Sequence, residues 1–397
     1  METPPSGAIL DVRSQQAPGG RLYRLDRELG RGAQGTVMLA QRMDPNDPGA
    51  TYAVAMKFID PTDMQADTGR ELAGLRGKVR RAILPAPMET ARWRTRLLRR
   101  PRETPVVIQG YAPGPDLAAL HETKHGGTPA SLTETVTVLA QVAGTLKDLH
   151  AQGRVHQDIK PENLIGTRQE SGSRSAYLID WDMCAPDGTM GGAGTPLYMA
   201  PEALAMDRIT GKCDVYALGM TAVTIATGTN DRGFPQNVTE HWPQMAMLFN
   251  GKPPVRQTGH PYLDLTLARA TDSDHRQRSD ALDLMTDLAP MALTASPTSY
   301  SAADRTACAN RLVERASDPQ RRHLLLDGLA ARALSSALPD DSPSQAALVA
   351  LAQATKPVCD AWVAQHGDPG ATLDHRQEQQ PAPATPALAE PLPRRWP

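Results

Sequence analysis

His156-Gln157-Asp158-Ile159-Lys160-Pro161-Glu162-Asn163 is the stretch whose reading decides the fold of this 397-residue chain. It sets a carboxylate, an ammonium and a carboxamide at spacings of two and three residues. A short apolar run, Ala176-Tyr177-Leu178-Ile179, then leads into two further carboxylates in Asp180-Trp181-Asp182. A base, a cation and cation-binding groups in that order suit phosphoryl transfer. The migrating group is nearly free of covalent bonding to either partner, so a protein mainly positions the reactants and offsets concentrated negative charge.

The octapeptide resembles the catalytic loop of the protein kinases, His-Arg-Asp-x-Lys-x-x-Asn, and Asp180-Trp181-Asp182 resembles their Asp-Phe-Gly. By that resemblance Asp158 accepts the proton of the attacking hydroxyl and Lys160 reaches the transferring phosphate. Asn163 and Asp180 hold magnesium, or manganese in its place. His156 orders the loop, because the family mechanism needs no base besides the aspartate.

Upstream, Leu29 to Val37 contains Gly30, Gly32, Gly35 and Val37 in the kinase pattern Gly-x-Gly-x-x-Gly-x-Val. A dinucleotide-binding turn uses similar glycines, since both bring backbone close to phosphate. Here the flanks Leu22 to Leu29 and Thr36 to Gln41 alternate like strands, which predicts a hairpin lid over nucleotide. Tyr52-Ala53-Val54-Ala55-Met56-Lys57 resembles Val-Ala-Ile-Lys, whose lysine bridges the α and β phosphates of ATP. Only eight of the 42 basic residues are lysines, and two of these eight, Lys57 and Lys160, stand at kinase positions, where a compact ammonium suits a point contact to phosphate.

Glu71, in the helical stretch Thr68 to Arg76, is the candidate partner of Lys57, the plainer reading being a solvated surface glutamate. A strand over Val106 to Gln109 leads into Gly110-Tyr111-Ala112-Pro113-Gly114, which resembles the hinge whose backbone meets adenine. The same resemblance puts Gln109 behind the adenine, Val37, Ala55 and Ile165 around the base, and Asp116 at the ribose.

Downstream, Gly194-Thr195-Pro196-Leu197-Tyr198-Met199-Ala200-Pro201-Glu202 resembles the substrate-facing segment of serine/threonine kinases. Thr195 should pack on Lys160 and Asp158, Asp214 should tether the catalytic loop, and Glu202 should pair with a buried Arg278. Two positions depart from the family. Gln157 replaces the arginine that pairs with a phosphorylated activation segment, so activity is expected without phosphorylation of Thr189. Asp182 replaces a glycine and brings a second carboxylate within reach of the magnesium.

Asp-Trp-Asp is also similar to the Asp-Trp-Glu of aminoglycoside and choline phosphotransferases, which would imply a small-molecule acceptor. That family's pattern supplies neither Lys160 nor the segment ending Ala-Pro-Glu. A nucleotide-binding pseudokinase acting as a scaffold is the third reading, although Lys57, Asp158, Asn163 and Asp180 are all present.

A net charge of −2 implies no broad basic surface for nucleic acid or anionic membrane. The one basic run, Arg92 to Arg102, falls where a small-lobe hairpin is expected. Cys184, Cys213, Cys308 and Cys359 lack metal-ligand spacing and read as free thiols. With no long apolar span and no signal-like N-terminus, the expectation is a cytoplasmic protein.

The expected fold is α+β and two-lobed. Residues 1–20 read as disordered, 21–290 as a kinase domain (small lobe about 21–111, large lobe about 112–290), 291–367 as a helical extension and 368–397 as a disordered Pro/Ala-rich tail. Large-lobe helices are expected over about Leu132 to Gln152, Asp214 to Gly228, Trp242 to Asn250, Leu263 to Thr271 and Asp280 to Leu288. In the extension, helices are expected near Ala302 to Ala316, Pro319 to Leu338 and Pro343 to Gln365, the last begun by Ser342 and broken at Pro357. Leu325, Leu329, Ala333 and Leu334 give the middle helix an apolar face, which either rests on the large lobe or binds a partner protein. The partners implied are protein substrates, the chain itself among them.

Overall fold

The computed structural model describes residues 3–14, 17–32, 35–43, 51–59, 71–72, 74–84, 89–93, 102–121, 129–169, 174–228, 258–339 and 342–373. Two separate apolar cores divide them into two lobes. The small lobe is an antiparallel sheet of β1 (Ile9–Ser14), β2 (Ala17–Gly32), β3 (Gly35–Met43), β4 (Thr51–Phe58), β5 (Glu89–Trp93) and β6 (Arg102–Gly110). β1 pairs with β2 and β5, β3 with β2 and β4, and β6 with β4 and β5. Strand alternation buries Leu10, Val12, Tyr23, Leu25, Met38, Ala40, Met56 and Phe58 on one face. The intervening Val37, Ala55, Lys57 and Gln109 therefore lie on the other.

For residues 1–20 the expectation is disorder, and here the structure differs. Ile9-Leu10-Asp11-Val12 alternates outward and inward, Leu10 and Val12 are fully buried, and the segment is a strand. Arg92 and Arg102, the two ends of the basic run, lie in β5 and β6, which pair with each other, and residues 94–101 lie outside the described part.

In the large lobe, α1 (Leu117–Leu120) precedes α2 (Leu132–His150), and Gly153 stops the chain beyond α2 with φ 67°. The stripe Val136, Leu139, Ala143, Leu146 and Leu149 is wholly buried, but so are Ala140 and Val142, because α2 runs through the centre of the lobe. Then come β7 (Arg154–Val155), the hairpin β8 (Leu164–Arg168) and β9 (Arg174–Leu178), β10 (Ala185–Pro186), α3 (Pro201–Leu204), α4 (Gly211–Thr227), α5 (Pro261–Ala270) and α6 (Ala281–Ala295). The helix expected over Trp242 to Asn250 lies outside the described residues. α6 runs through Pro290, beyond its expected end, because Met291 and Ala292 are buried in the same core.

Helices α7 (Ala302–Ser317), α8 (Leu324–Ala337), α9 (Gln345–Ala354) and α10 (Lys356–His366) form the extension. Pro357 sits in the first turn of α10, so the break falls at Thr355. The cap expected from Ser342 is not made, and α9 begins only at Gln345. Leu326, Leu329, Ala330 and Leu334 of α8 join the large-lobe core, while Leu325 is only half-buried, so the apolar face packs within the chain. Residues 368–373, expected in the disordered tail, pack back on the lobe through His260 and Thr372, 2.7 Å apart. The rest of that tail, 374–397, lies outside the described residues.

Charge pins the extension in place. Buried Arg315 of α7 pairs with Asp287 of α6 at 2.8 Å and with Asp327 of α8. Asp304 of α7, fully buried, accepts from Lys147 at 2.7 Å and from Arg80, which also holds Asp148 at 2.6 Å. Asp304 and Ser301 form a reciprocal capping box. Ser301→Ala should therefore cost about 1 kcal/mol of stability, read as a shift in denaturant midpoint at unchanged slope.

Among the described residues no helix is long and apolar enough to cross a membrane. All four cysteines are free and buried, and burial pushes the thiols of Cys184 and Cys308 up to about 12.

Candidate active site

β7 delivers the chain to residues 156–163, and α4 holds that loop from beneath. Asp214, fully buried, accepts the backbone N–H of His156 and of Gln157, each at 2.8 Å, and faces His150 Nε2 at 2.9 Å. These bonds fix a turn in which Gln157 has φ 71°. The Asp158 N–H donates to His156 Nδ1 at 3.3 Å, and Nε2 lies 3.2 Å from the Ile179 carbonyl. Burial pushes the His156 pKa down, which favours the neutral ring, and the Asp158 N–H on Nδ1 together with the Ile179 carbonyl at Nε2 assigns the proton to Nε2. Its ring meets buried Trp181 edge-on at 4.7 Å. His156 is thus committed to holding the two loops together.

Asp158 is the meeting point. Its Oδ1 accepts from the Thr195 hydroxyl at 2.7 Å, and its Oδ2 from Lys160 Nζ at 2.7 Å and Asn163 Nδ2 at 2.9 Å. Lys160 also donates to Thr195 Oγ1 at 2.8 Å. Burial opposes the Asp158 charge, but Lys160 and Thr195 outweigh it and hold the carboxyl below its ordinary value. Gly194 lets Thr195 approach so closely, since its φ is 121° and a Cβ there would lie 2.5 Å from the Gln157 carbonyl. All four expected residues converge.

The β8–β9 hairpin brings the second loop to the first, with the Ile179 N–H donating to the Asn163 carbonyl at 3.0 Å. Asp180 has φ 60° and a partly exposed carboxylate. Asp182 has no positive φ, so the glycine of the family pattern is not needed for the turn here.

Glu71 corrects its expected role. It pairs with Arg154 at 2.5 Å, and Lys57 is paired instead with Asp182, with Asp180 3.7 Å away. Only residues 71–72 of the expected helix are helical among those described.

The donor set suits a hard divalent cation. Asp180 offers a carboxylate, and Asn163, whose amide nitrogen faces Asp158, keeps its oxygen for a cation. Among the described residues no three His, Cys, Asp or Glu converge on one point. One carboxylate and one carboxamide are a set that fits a cation of the magnesium type, which is commonly bound by one or two carboxylates with phosphate oxygens and water completing the shell.

In the small lobe β2 and β3 form the expected hairpin, with Gly30 opposite Val37 and Gly32 opposite Gly35. Gly35 has φ 138°, and a Cβ there would collide with the Phe58 carbonyl. Val37 is in register with Lys57, and Ala55 with Gln109. Tyr111 and Ala112 follow β6 outside any regular element, and Ile165 is bridged to Asp116. Asp116, expected at the ribose, caps α1 by accepting the Ala119 N–H at 2.8 Å, which occupies one of its oxygens.

The segment from Asp180 to Glu202 is held by backbone bonds. β10 pairs with β7, Gly188 N–H donates to the Ile209 carbonyl at 2.9 Å, and Gly191 N–H to that of Asp207 at 2.8 Å. Gln157 Nε2 donates to the Met183 carbonyl at 2.5 Å, and Thr189 is exposed. At the far end Arg278 clasps Glu202 through two bonds of 2.6 and 2.9 Å. Arg154 and His150 are site neighbours that sequence reasoning missed. Each lies within six residues of His156, but nothing in the spacing marks it.

Residues 23–292 match the family described as "Protein kinase domain". The chain is similar to the serine/threonine-protein kinase Pkn1 of Myxococcus xanthus, 33% identical over 34% of this chain and 20% of that protein. It is 29% identical to the serine/threonine-protein kinase PknD of Mycobacterium tuberculosis over 69% of this chain and 39% of that one. To PkaA of Streptomyces coelicolor it is 29% identical over 53% and 40%. The chain thus spans less than half the length of each of these relatives.

Proposed function

The chain belongs to the protein kinase family, and from that premise we propose that it transfers the γ-phosphate of Mg-ATP to serine or threonine hydroxyls of protein substrates. The observation that carries this reading is the convergence of Thr195, Lys160 and Asn163 on the Asp158 carboxylate. When bound, Mg-ATP supplies the electrophilic phosphoryl group. Asp158, ionised at neutral pH, is placed to take the proton of an incoming hydroxyl, and Lys160 to offset the charge that builds beside it. Thr195 holds the substrate-facing segment against both. Asn163 and Asp180 are the groups that would hold the metal, and Lys57 the one that would meet the phosphates.

The test is incubation of the purified chain with γ-labelled Mg-ATP, alone, with a generic protein substrate and with a small-molecule extract, followed by mapping of the label. Label on serine or threonine is expected. Label confined to small molecules would favour the aminoglycoside and choline phosphotransferase reading, and nucleotide binding without transfer would favour a scaffold.

We further propose that activity does not require phosphorylation of the activation segment. Gln157 offers a phosphate no charge, and the segment is already ordered by β10 and its backbone bonds. Thr189→Ala should keep its turnover within about threefold of the native chain, since an exposed residue away from the reacting groups has little to lose. A loss on the order of a hundredfold, the scale of a positioning defect, would sink this idea.

A further inference from the structure

Lys57 has a carboxylate partner, and it is not the one that the family resemblance implies. Its ammonium is paired with Asp182, whereas Glu71 is engaged with Arg154. The two acids differ in how firmly they are held. Asp182 follows Trp181, which is 1% exposed and packed edge-on against His156, so its backbone is anchored in the large-lobe core. The Asp182 side chain is 21% exposed and that of Glu71 is 55%, so solvent and salt screen the field of Asp182 less. No backbone penalty attaches to an aspartate here, because the positive φ of the triplet falls on Asp180.

Building on the kinase reading above, we propose that Asp182 is the positioning residue for Lys57, in the place that the family gives to Glu71. A lysine on a flexible four-carbon stem samples many rotamers, and a fixed counter-charge narrows them. The aim of Lys57 is then set inside the Asp180-Trp181-Asp182 loop, which also carries a metal-binding carboxylate. Glu71 has a different task, tying its own segment to Arg154 in β7, just ahead of the catalytic loop.

The test compares the full chain with Lys57→Met, Glu71→Ala, Asp182→Asn, Asp182→Glu and the double variant Lys57→Met/Asp182→Asn. Thermal unfolding is followed in EDTA without nucleotide, and turnover is measured across a range of free Mg2+. Asp182→Asn should lower kcat by about tenfold to a hundredfold with its Mg2+ requirement unchanged, and Asp182→Glu should recover most of that loss. Glu71→Ala, whose residue the structure places on Arg154, should stay within about threefold of the native chain. In the melting cycle, Asp182→Asn should shift the unfolding temperature of the native chain but not that of Lys57→Met.

Additive melting shifts would overturn the proposal, and so would a hundredfold loss from Glu71→Ala. A deficit of Asp182→Asn repaired by high free Mg2+ would make Asp182 a metal ligand and would equally overturn it. The melting cycle reads the ion pair without catalysis, so the pairing can fail while the kinase reading stands, and the reverse.

Discussion

Asp158→Asn should lower kcat by about 10²- to 10⁴-fold, the usual contribution of a positioned general base. Asparagine has the same shape and can still accept from Thr195, so the loop has no steric reason to rearrange. What is lost is the charge, and with it the ability to take a proton. Lys160 then faces a neutral amide at the position where it now meets a carboxylate at 2.7 Å. The change belongs to the chemical step, so KM for ATP should move far less than kcat.

The protonation state of Asp158 bears on the same expectation. Its folded pKa is held below the ordinary 3.8, with burial opposing its charge and Lys160 and Thr195 outweighing burial. The Asp158 carboxyl is therefore ionised above about pH 4, and no acidic limb of the rate profile between about pH 5 and 8 should come from it. The same depressed value means that its stabilising interactions are fully present above 3.8 and are lost as pH falls through the lower folded value. Steady-state phosphotransfer across pH, with melting curves for both proteins, checks these statements. Native-like turnover in the asparagine variant would remove Asp158 from the chemistry.

The parts of this protein legible in sequence are those whose partners are set by short, fixed spacings. Asp158, Lys160 and Asn163 lie within six residues, and the turn that holds them leaves few other arrangements. The β2–β3 hairpin is legible because strand alternation flanks its glycines on both sides. Asp214 and Arg278 are far away in sequence, and only the family resemblance points to them.

The misses share a physical cause, which is that side chains choose among competing partners at long range. Lys57 has Asp180 and Asp182 beside it, while the resemblance names Glu71, and spacing alone does not rank these carboxylates. The N-terminal strand is hidden because Pro and Gly dominate its neighbourhood, while only Leu10 and Val12 carry the signal for burial. The placement of the extension rests on Arg80, Arg315 and three aspartates that no local pattern connects. Pro290 reads as an end, but the apolar residues after it outweigh one missing backbone donor.

Arg278→Met should destabilise the chain by about 3 to 5 kcal/mol, because it leaves the Glu202 carboxylate without its partner in a largely buried site. Arg278 is 1% exposed and makes more than one kind of contact. Its guanidinium donates twice to Glu202, once to the Asp272 carbonyl at 2.8 Å and once to the Lys212 carbonyl at 3.1 Å, and it lies 4.9 Å over the Tyr216 ring. Methionine keeps some of the packing and none of the donors, so the loss reports mainly the stranded charge.

Burial alone would raise the Glu202 pKa, but Arg278 holds it below its ordinary 4.5. The pair's contribution is therefore present above 4.5 and disappears as pH falls through the lower folded value, so the native chain and the variant should converge in stability at acid pH. Removing both charges is the complementary test. Glu202→Leu combined with Arg278→Met should recover part of the loss, since replacing a buried pair by apolar groups is far milder than leaving one charge alone. Equilibrium unfolding by denaturant compares the native chain with the single and the double variant. A single Arg278→Met within about 1 kcal/mol of the native chain, the scale of an exposed ion pair, would show that this clasp does not secure the segment between Asp180 and α4.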